Sequence, residues 1–273
     1  MSPKISKAES PTPATTKTTV TPVVPRIPQE IIDEILDHVG TDSDLKSLRA
    51  CSLVSKSWVP SCRRYLFYTV FFTPIKMAKW LKAFPVPEQS PTYHIKDLRF
   101  SLGGYYGPVG KFFADYSPWF TNVEKMDLLG YGGLSPSWMP PFGMLPQSVT
   151  SLTINAYYVT LVEIRDIMMQ LSNLDNLSLS GPLAAVDRNT LLGVGTSLRG
   201  RFGGRLVLAD GHANADVTNM LMDVPTGLHF TEVQIRATRQ CHLSTVRLVE
   251  ACGKTLVKLT YEISTHGKSH PCS

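Results

Sequence analysis

Two glycine-rich stretches and one scatter of cysteine and histidine are the places where residue types and spacing could do chemistry. The stretches are GGYYGPVG (Gly103 to Gly110) and GVGTSLRGRFGG (Gly193 to Gly204). A glycine-rich turn leading into a helix can present backbone N–H groups to a phosphate. In the second stretch Gly193 and Gly195 have the opening spacing of a dinucleotide fingerprint. Its third glycine is misplaced, no strand leads directly into it, and no Lys followed by Ser or Thr comes after it as in a P-loop. Both stretches therefore read as turns between repeating units.

Cys241, Cys252, His266, His270 and Cys272 offer thiol and imidazole groups of the kind zinc takes, and His266 and His270 are usefully spaced. Cys241 and Cys252, however, are eleven residues apart. A zinc knuckle has about two to four residues between its cysteines, so the tight first half of a chelate is missing. Cys252 is expected inside a repeat, and no metal site is assigned. Serine, histidine and acidic residues recur without forming a nucleophile elbow or a general-base motif, and His94 and His229 lie beside predicted strands. No catalytic residue and no cofactor is expected.

The 273 residues suffice for one large core or for a small unit joined to a larger one. Of the net charge of +5, a net +3 comes from Lys4, Lys7, Glu9, Lys17 and Arg26, which leaves the rest nearly balanced. That argues against a nucleic-acid face. Five widely spaced cysteines fit reduced thiols and an intracellular, cytoplasmic or nuclear, protein. No run approaches the ~20 apolar residues of a membrane span. Residues 1–25 contain 14 Ser, Thr or Pro and little to bury, and are expected to be a disordered tail.

From residue 26 the pattern becomes helical. At 100° per residue, Ile31, Ile32, Ile35, Leu36 and Val39 fall within an arc of ~140°, with Glu30, Asp33, Glu34, Asp37 and His38 outside it. Pro28 suits the first turn of this helix and Gly40 its C-terminal cap. Thr41 and Asp44 resemble a capping box for a second helix with Leu45, Leu48 and Cys51 on its apolar side. A third helix is expected near Trp58, with Pro60 in its first turn, giving way to strand over Tyr68 to Phe72. Between Ile27 and Phe72, 22 of 46 residues are apolar, more than so small a unit can bury against itself. The excess needs a partner, either the rest of the chain or another protein.

The order Ile27, Pro28, Glu30, Ile31, Ile35, Leu36, then Leu45, Leu48, Cys51, Leu53, Val54, Ser55, Trp58, and finally Tyr65, Leu66, Phe67 resembles the F-box in its fungal form, with Ile27 where leucine is more usual. The likeness covers Ile27 to about Val70. It implies docking on the Skp adaptor of a cullin-type ubiquitin ligase, with Ile27, Pro28, Ile31, Ile35, Leu36, Leu45, Leu48, Val54 and Trp58 as the adaptor-binding set.

Beyond residue 90, an apolar-x-x-apolar-x-apolar pattern starts at positions 95, 123, 149, 174, 203, 230 and 256, with Gly203 opening the weakest copy. Helical patterns run between them: Leu161, Ile164, Ile167, Met168 and Leu171; Val217, Met220, Leu221 and Val224; Leu243, Val246 and Val249. A strand and a helix in ~27 residues, each too small to bury its own face, describe a stacked α/β solenoid. The motif resembles degenerate leucine-rich repeats. The Asn or Cys usual after the strand is absent, with Tyr157 and Pro182 at two such places, which predicts an irregular, shallow arc. Alternation puts Leu152, Leu177 and Leu259 in the core and Thr153, Ser178 and Thr260 on the open strand face. Arg99, Asp127, Thr153, Asn155, Ser178, Gln234, Arg236 and Glu262 are the client-binding candidates on that face.

The expected fold is therefore α/β: a tail (1–25), a three-helix F-box domain (26–72), an irregular leucine-rich-repeat-like solenoid (73–264) and a C-terminal tail (265–273). The expected function is that of a non-enzymatic substrate adaptor, bound through a Skp-family protein to cullin and holding an unknown client, with no nucleic acid and no membrane. An F-box scaffold with no ubiquitination client, and a small nucleotide-binding enzyme or hydrolase, are the alternatives.

Overall fold

The computed structural model describes residues 27–42, 44–101, 109–130, 145–156, 159–181, 200–209, 215–237 and 242–263. Over these residues the chain is an α/β protein. Three helices precede an eight-stranded parallel sheet whose strands alternate with helices, consistent with a leucine-rich-repeat-like arrangement.

The first helices are α1 (Gln29–Thr41), α2 (Leu45–Val54) and α3 (Val59–Leu66), with a 3-10 turn at Lys56–Trp58. Pro28 is the residue just before α1, in extended conformation, where a missing N–H is harmless. Gly40 does not cap α1. The helix runs through it, and a Cβ there would lie 2.3 Å from the Tyr65 ring of α3, so glycine is needed for helix–helix approach. Nor does Thr41 cap α2. Its hydroxyl donates back to the Asp37 carbonyl, and Asp44 itself accepts from the N–H groups of Lys46 and Ser47, each at 3.1 Å. Pro60 stands in the first turn of α3, as predicted.

The remaining elements are β1 (Thr69–Phe72), α4 (Pro74–Ala83), β2 (Asp97–Ser101), α5 (Val109–Tyr116), β3 (Lys125–Gly130), β4 (Ser151–Ala156), α6 (Leu161–Met168), β5 (Asn173–Ser180), β6 (Arg201–Leu208), α7 (Ala215–Met222), β7 (Leu228–Ala237), α8 (His242–Cys252) and β8 (Lys258–Ile263). The strands lie in sequence order, each parallel to the next. Leu98, Met126, Leu152, Leu177, Leu206, Val233 and Leu259 form one row across the sheet, and Phe100, Leu128, Ile154, Leu179, Leu208, Ile235 and Tyr261 the next. Each row holds its side chains on the helix-covered face. Neither a single strand nor a single helix could shield these residues, so stacking of neighbours is what makes the core.

The sheet starts one strand before the repeat pattern does. Val70 and Phe72 of β1 enter the same two rows, and Phe72 is buried in the sheet core. Aromatic rings fill this end: Phe72 lies 5.1 Å from Trp80 and 4.7 Å from Phe112, and Phe112 stacks on Tyr116 at 5.1 Å. Such pairs add specific geometry to their large buried area. Polar residues one place ahead of a strand's first apolar position tie the turns together. Asn122 donates to the Tyr93 carbonyl, Ser148 to that of Val123 and Thr255 to that of Phe230, at 2.7, 2.7 and 3.1 Å. Tyr157 and Pro182 lie outside the described residues.

Four further expectations need correction. Gly203 does not open the fifth repeat: Phe202, fully buried, pairs with Leu174, and an irregularity at Gly204 takes up the extra residue. Gly204 has φ +64°, and a Cβ there would fall 2.0 Å from the Asp175 carbonyl oxygen, so no other residue fits that bulge. RFGG, the end of the second glycine-rich stretch, is therefore strand rather than turn. On α8 the buried side is Thr245, Leu248 and Cys252, which leaves Leu243 and Val246 exposed. Finally, Leu259 is 47% exposed although it shares a row with buried leucines, because among the described residues nothing follows β8 in the sheet.

Candidate docking surfaces

The three-helix unit has its own small core. Ile32, Leu36, Leu48 and Cys62 are buried, with Val39, Cys51, Trp58, Tyr65 and Leu66 packed around them. Burial pushes the Cys62 thiol up from its ordinary value. Polar contacts fasten α1 to α3: Ser61 donates to Asp33 Oδ1 at 2.7 Å, and Arg64 binds Asp37 while lying 4.9 Å over the Tyr65 ring. Hydrogen bonds from Ser61 and Gln29 hold the Asp33 carboxyl below its usual range.

The apolar arc of α1 is thus divided. Its inner half, Ile32 and Leu36, closes the core, whereas Ile31 and Ile35, one turn apart, are 46% and 51% exposed. Ile27, Pro28, Leu45 and Val54 are also exposed, and at 87% Leu53 is the most open large apolar side chain among the described residues. Of the residues expected to bind the adaptor, Leu36 and Leu48 have no exposure and Trp58 is half-buried, so these hold the helices in place while the others present surface. Leu53 belongs to this exposed group and is missing from the set. The run LVSKSW around it is the signal that marks it.

The second surface is the face of the sheet opposite its helices, which no described helix covers. Arg99, Asp127, Thr153, Ser178 and Gln234 stand in one row, with Val207 between the last two, and Asn155, Arg236 and Glu262 lie two residues further along their strands. Val207 and Leu129 are half-buried apolar residues of this face that polarity alone does not single out. At one end Arg99 grips Asp97 with two hydrogen bonds, at 3.1 and 2.7 Å, and its Nε lies 3.4 Å from Asp127. At the other, Arg205 donates to Gln234 at 3.0 Å and Arg236 to Glu262 at 2.9 Å, while Glu232 sits 3.9 Å from both Arg205 and Lys258. The middle, Ser151, Thr153, Asn155, Asn176, Ser178 and Ser180, carries no charge. Arg99 is thus committed to two carboxylates, and the neutral band is the part of the face without ion pairs to break.

Among the described residues no group of histidine, cysteine and acid is placed to hold a metal ion. Cys252 is fully buried in the last repeat and its thiol is pushed up to about 11 by desolvation. Cys241, His266, His270 and Cys272 lie outside the described residues, as do Gly103 and Gly193. His229 is in β7, its Nε2 3.0 Å from the Thr226 carbonyl. His94 is half-buried beside Tyr93, and desolvation, then Arg63 and Arg64, lower its pKa. No described helix is long and apolar enough to cross a membrane.

Neither a model of a known protein family nor a curated protein matches the chain.

Proposed function

We propose that the chain is the substrate-recognition subunit of a Skp, cullin and F-box ubiquitin ligase. The three-helix unit is its F-box and the sheet with its helices is an irregular leucine-rich-repeat-like solenoid. The observation that carries this is the division of α1. A helix whose inner isoleucine and leucine complete a core, and whose outer Ile31 and Ile35 remain in water, is built to be covered by something else. The order of residues resembling the F-box names the Skp adaptor as that cover. Exposed Ile27, Pro28, Leu45, Leu53 and Val54 extend the surface on the same unit.

The protein performs no bond chemistry in this role. It acts through proximity: one end is fixed to the ligase, the neutral band on the open sheet face holds a client protein between its charged flanks, and ubiquitin transfer by the other subunits proceeds at raised effective concentration. Affinity purification of the full chain from cells tests the reading. Recovery of a Skp-family adaptor together with cullin is the expected result, and its absence from well-folded protein overturns it. Loss of client on cullin activation, reversed by cullin depletion, separates a ligase subunit from a scaffold.

A further inference from the structure

The last repeat is covered least. Among the described residues no strand pairs with the outer edge of β8. Beside that edge Val257, Leu259 and Ile263 are exposed, as are Leu243 and Val246 on α8. An uncovered strand edge flanked by apolar side chains is a template for another strand. The charges along this edge indicate which strand.

Lys258, Thr260 and Glu262 lie on the open face of β8, and Leu259, Tyr261 and Ile263 on the helix-covered face. The run Lys258-Leu259-Thr260-Tyr261-Glu262 is a charge palindrome about Thr260. When a second β8 is laid antiparallel with Thr260 opposite Thr260, Lys258 of each copy faces Glu262 of the other. On the other face Leu259 stands opposite Tyr261. Opposed residues of an antiparallel pair project to the same side, so both copies keep their helices on one face of a joined sheet. Other arrangements are worse. Moving the centre to Tyr261 sets Glu262 against Thr260 and loses both ion pairs, and a parallel, in-register copy sets Lys258 against Lys258 and Glu262 against Glu262.

We propose that the chain self-associates into a two-fold dimer through antiparallel β8–β8 pairing centred on Thr260, with two reciprocal Lys258–Glu262 pairs across the axis. The occupant of the edge is a second copy of this chain, since the edge is complementary to itself. Within each copy, Lys258 lies 3.9 Å from Glu232 and Glu262 bonds Arg236 at 2.9 Å, so both charges already stand on the open face where the partner's charges arrive. The ligase reading is not needed for this and does not bear on it.

Sedimentation velocity of the full chain over a wide range of micromolar concentrations tests the proposal. The unmodified chain should show a concentration-dependent monomer–dimer equilibrium. Lys258→Glu alone and Glu262→Lys alone each replace two attractive pairs by two repulsive ones. Each should raise the dissociation constant on the order of tenfold or more. Mixing these two single variants should restore a one-to-one dimer, and combining both substitutions in one chain should restore self-association, because both arrangements recover the opposite-charge pairs. Thermal melts confirm that each variant is folded. An unmodified chain that stays monomeric overturns the proposal, as does a dimer that the single substitutions leave unchanged. Failure of the mixture and of the doubly substituted chain to regain what the single variants lose overturns the register.

Discussion

Leu177 on β5 and Leu259 on β8 occupy the same row of the sheet, three strands apart, and differ in how much covers them. Leu177 is 1% exposed, with Leu152 and Leu206 as its row neighbours, whereas Leu259 is 47% exposed on the last strand. Replacing a fully buried leucine by alanine loses the transfer free energy of the deleted atoms and leaves a cavity, together about 2 to 5 kcal/mol. Neighbouring strands on both sides restrain collapse around Leu177, so the upper half of that range is expected there. At Leu259 roughly half the side chain is already in water and no cavity forms, so the loss should be about 1 kcal/mol. Ser178→Ala, one residue from Leu177 but on the opposite face, should change stability by no more than about 0.5 kcal/mol. Urea denaturation followed by far-ultraviolet circular dichroism measures all three, with equal slopes required before midpoints are compared. The measurements belong in the Lys258→Glu background, which keeps edge pairing from covering Leu259. A Leu259→Ala loss matching that of Leu177→Ala would mean that the edge is buried in the single chain. A Ser178→Ala loss matching it would refute the alternation of faces.

Replacing both Ile31 and Ile35 by Asp should abolish recovery of a Skp-family adaptor while leaving the melting temperature nearly unchanged; Leu36→Ala, by contrast, should cost about 2 to 5 kcal/mol of stability, and a pull-down paired with thermal melts distinguishes contact from support. Gly204→Ala should destabilise strongly, by several kcal/mol on the order expected where a left-handed backbone also meets a backbone oxygen, whereas Gly227→Ala, also at positive φ but with open space around it, should cost less; denaturation midpoints that rank the two the other way would contradict the bulge. Arg99→Glu should lower stability because Asp97 and Asp127 lose their shared cation and gain a like charge, while Arg236→Glu, at a more exposed pair, should cost little; equal melts for both would deny the Arg99 cluster. His94 has a folded pKa depressed below 6.5 by burial and by Arg63 and Arg64, so the unfolded chain binds its proton first: its stabilising effect is complete above about pH 6.5 and is lost progressively as pH falls below it, and His94→Gln should flatten that part of the stability–pH curve.

The sequence alone determined what depends on local periodicity. The spacing of apolar triplets located the strand rows from Leu98 to Leu259, because a period of two along the strand and of about 27 along the chain is imposed by every repeat having to bury the same face. The inward positions of α6 and α7 followed from helical spacing for the same reason. Tertiary structure decided what depends on neighbours. An apolar arc on α1 does not say that Ile32 turns inward and Ile31 outward; the position of α2 and α3 does. Gly40 resembles a helix cap in sequence, and the Tyr65 ring that makes it necessary lies 25 residues further along the chain. Phe202 displaced Gly203 from the row because a bulge absorbs one residue, which no fixed spacing foresees. Leu259 matches the repeat as well as Leu177 does, yet burial belongs to the pair of surfaces in contact and not to the residue, and at the last strand the second surface is missing from the described fold.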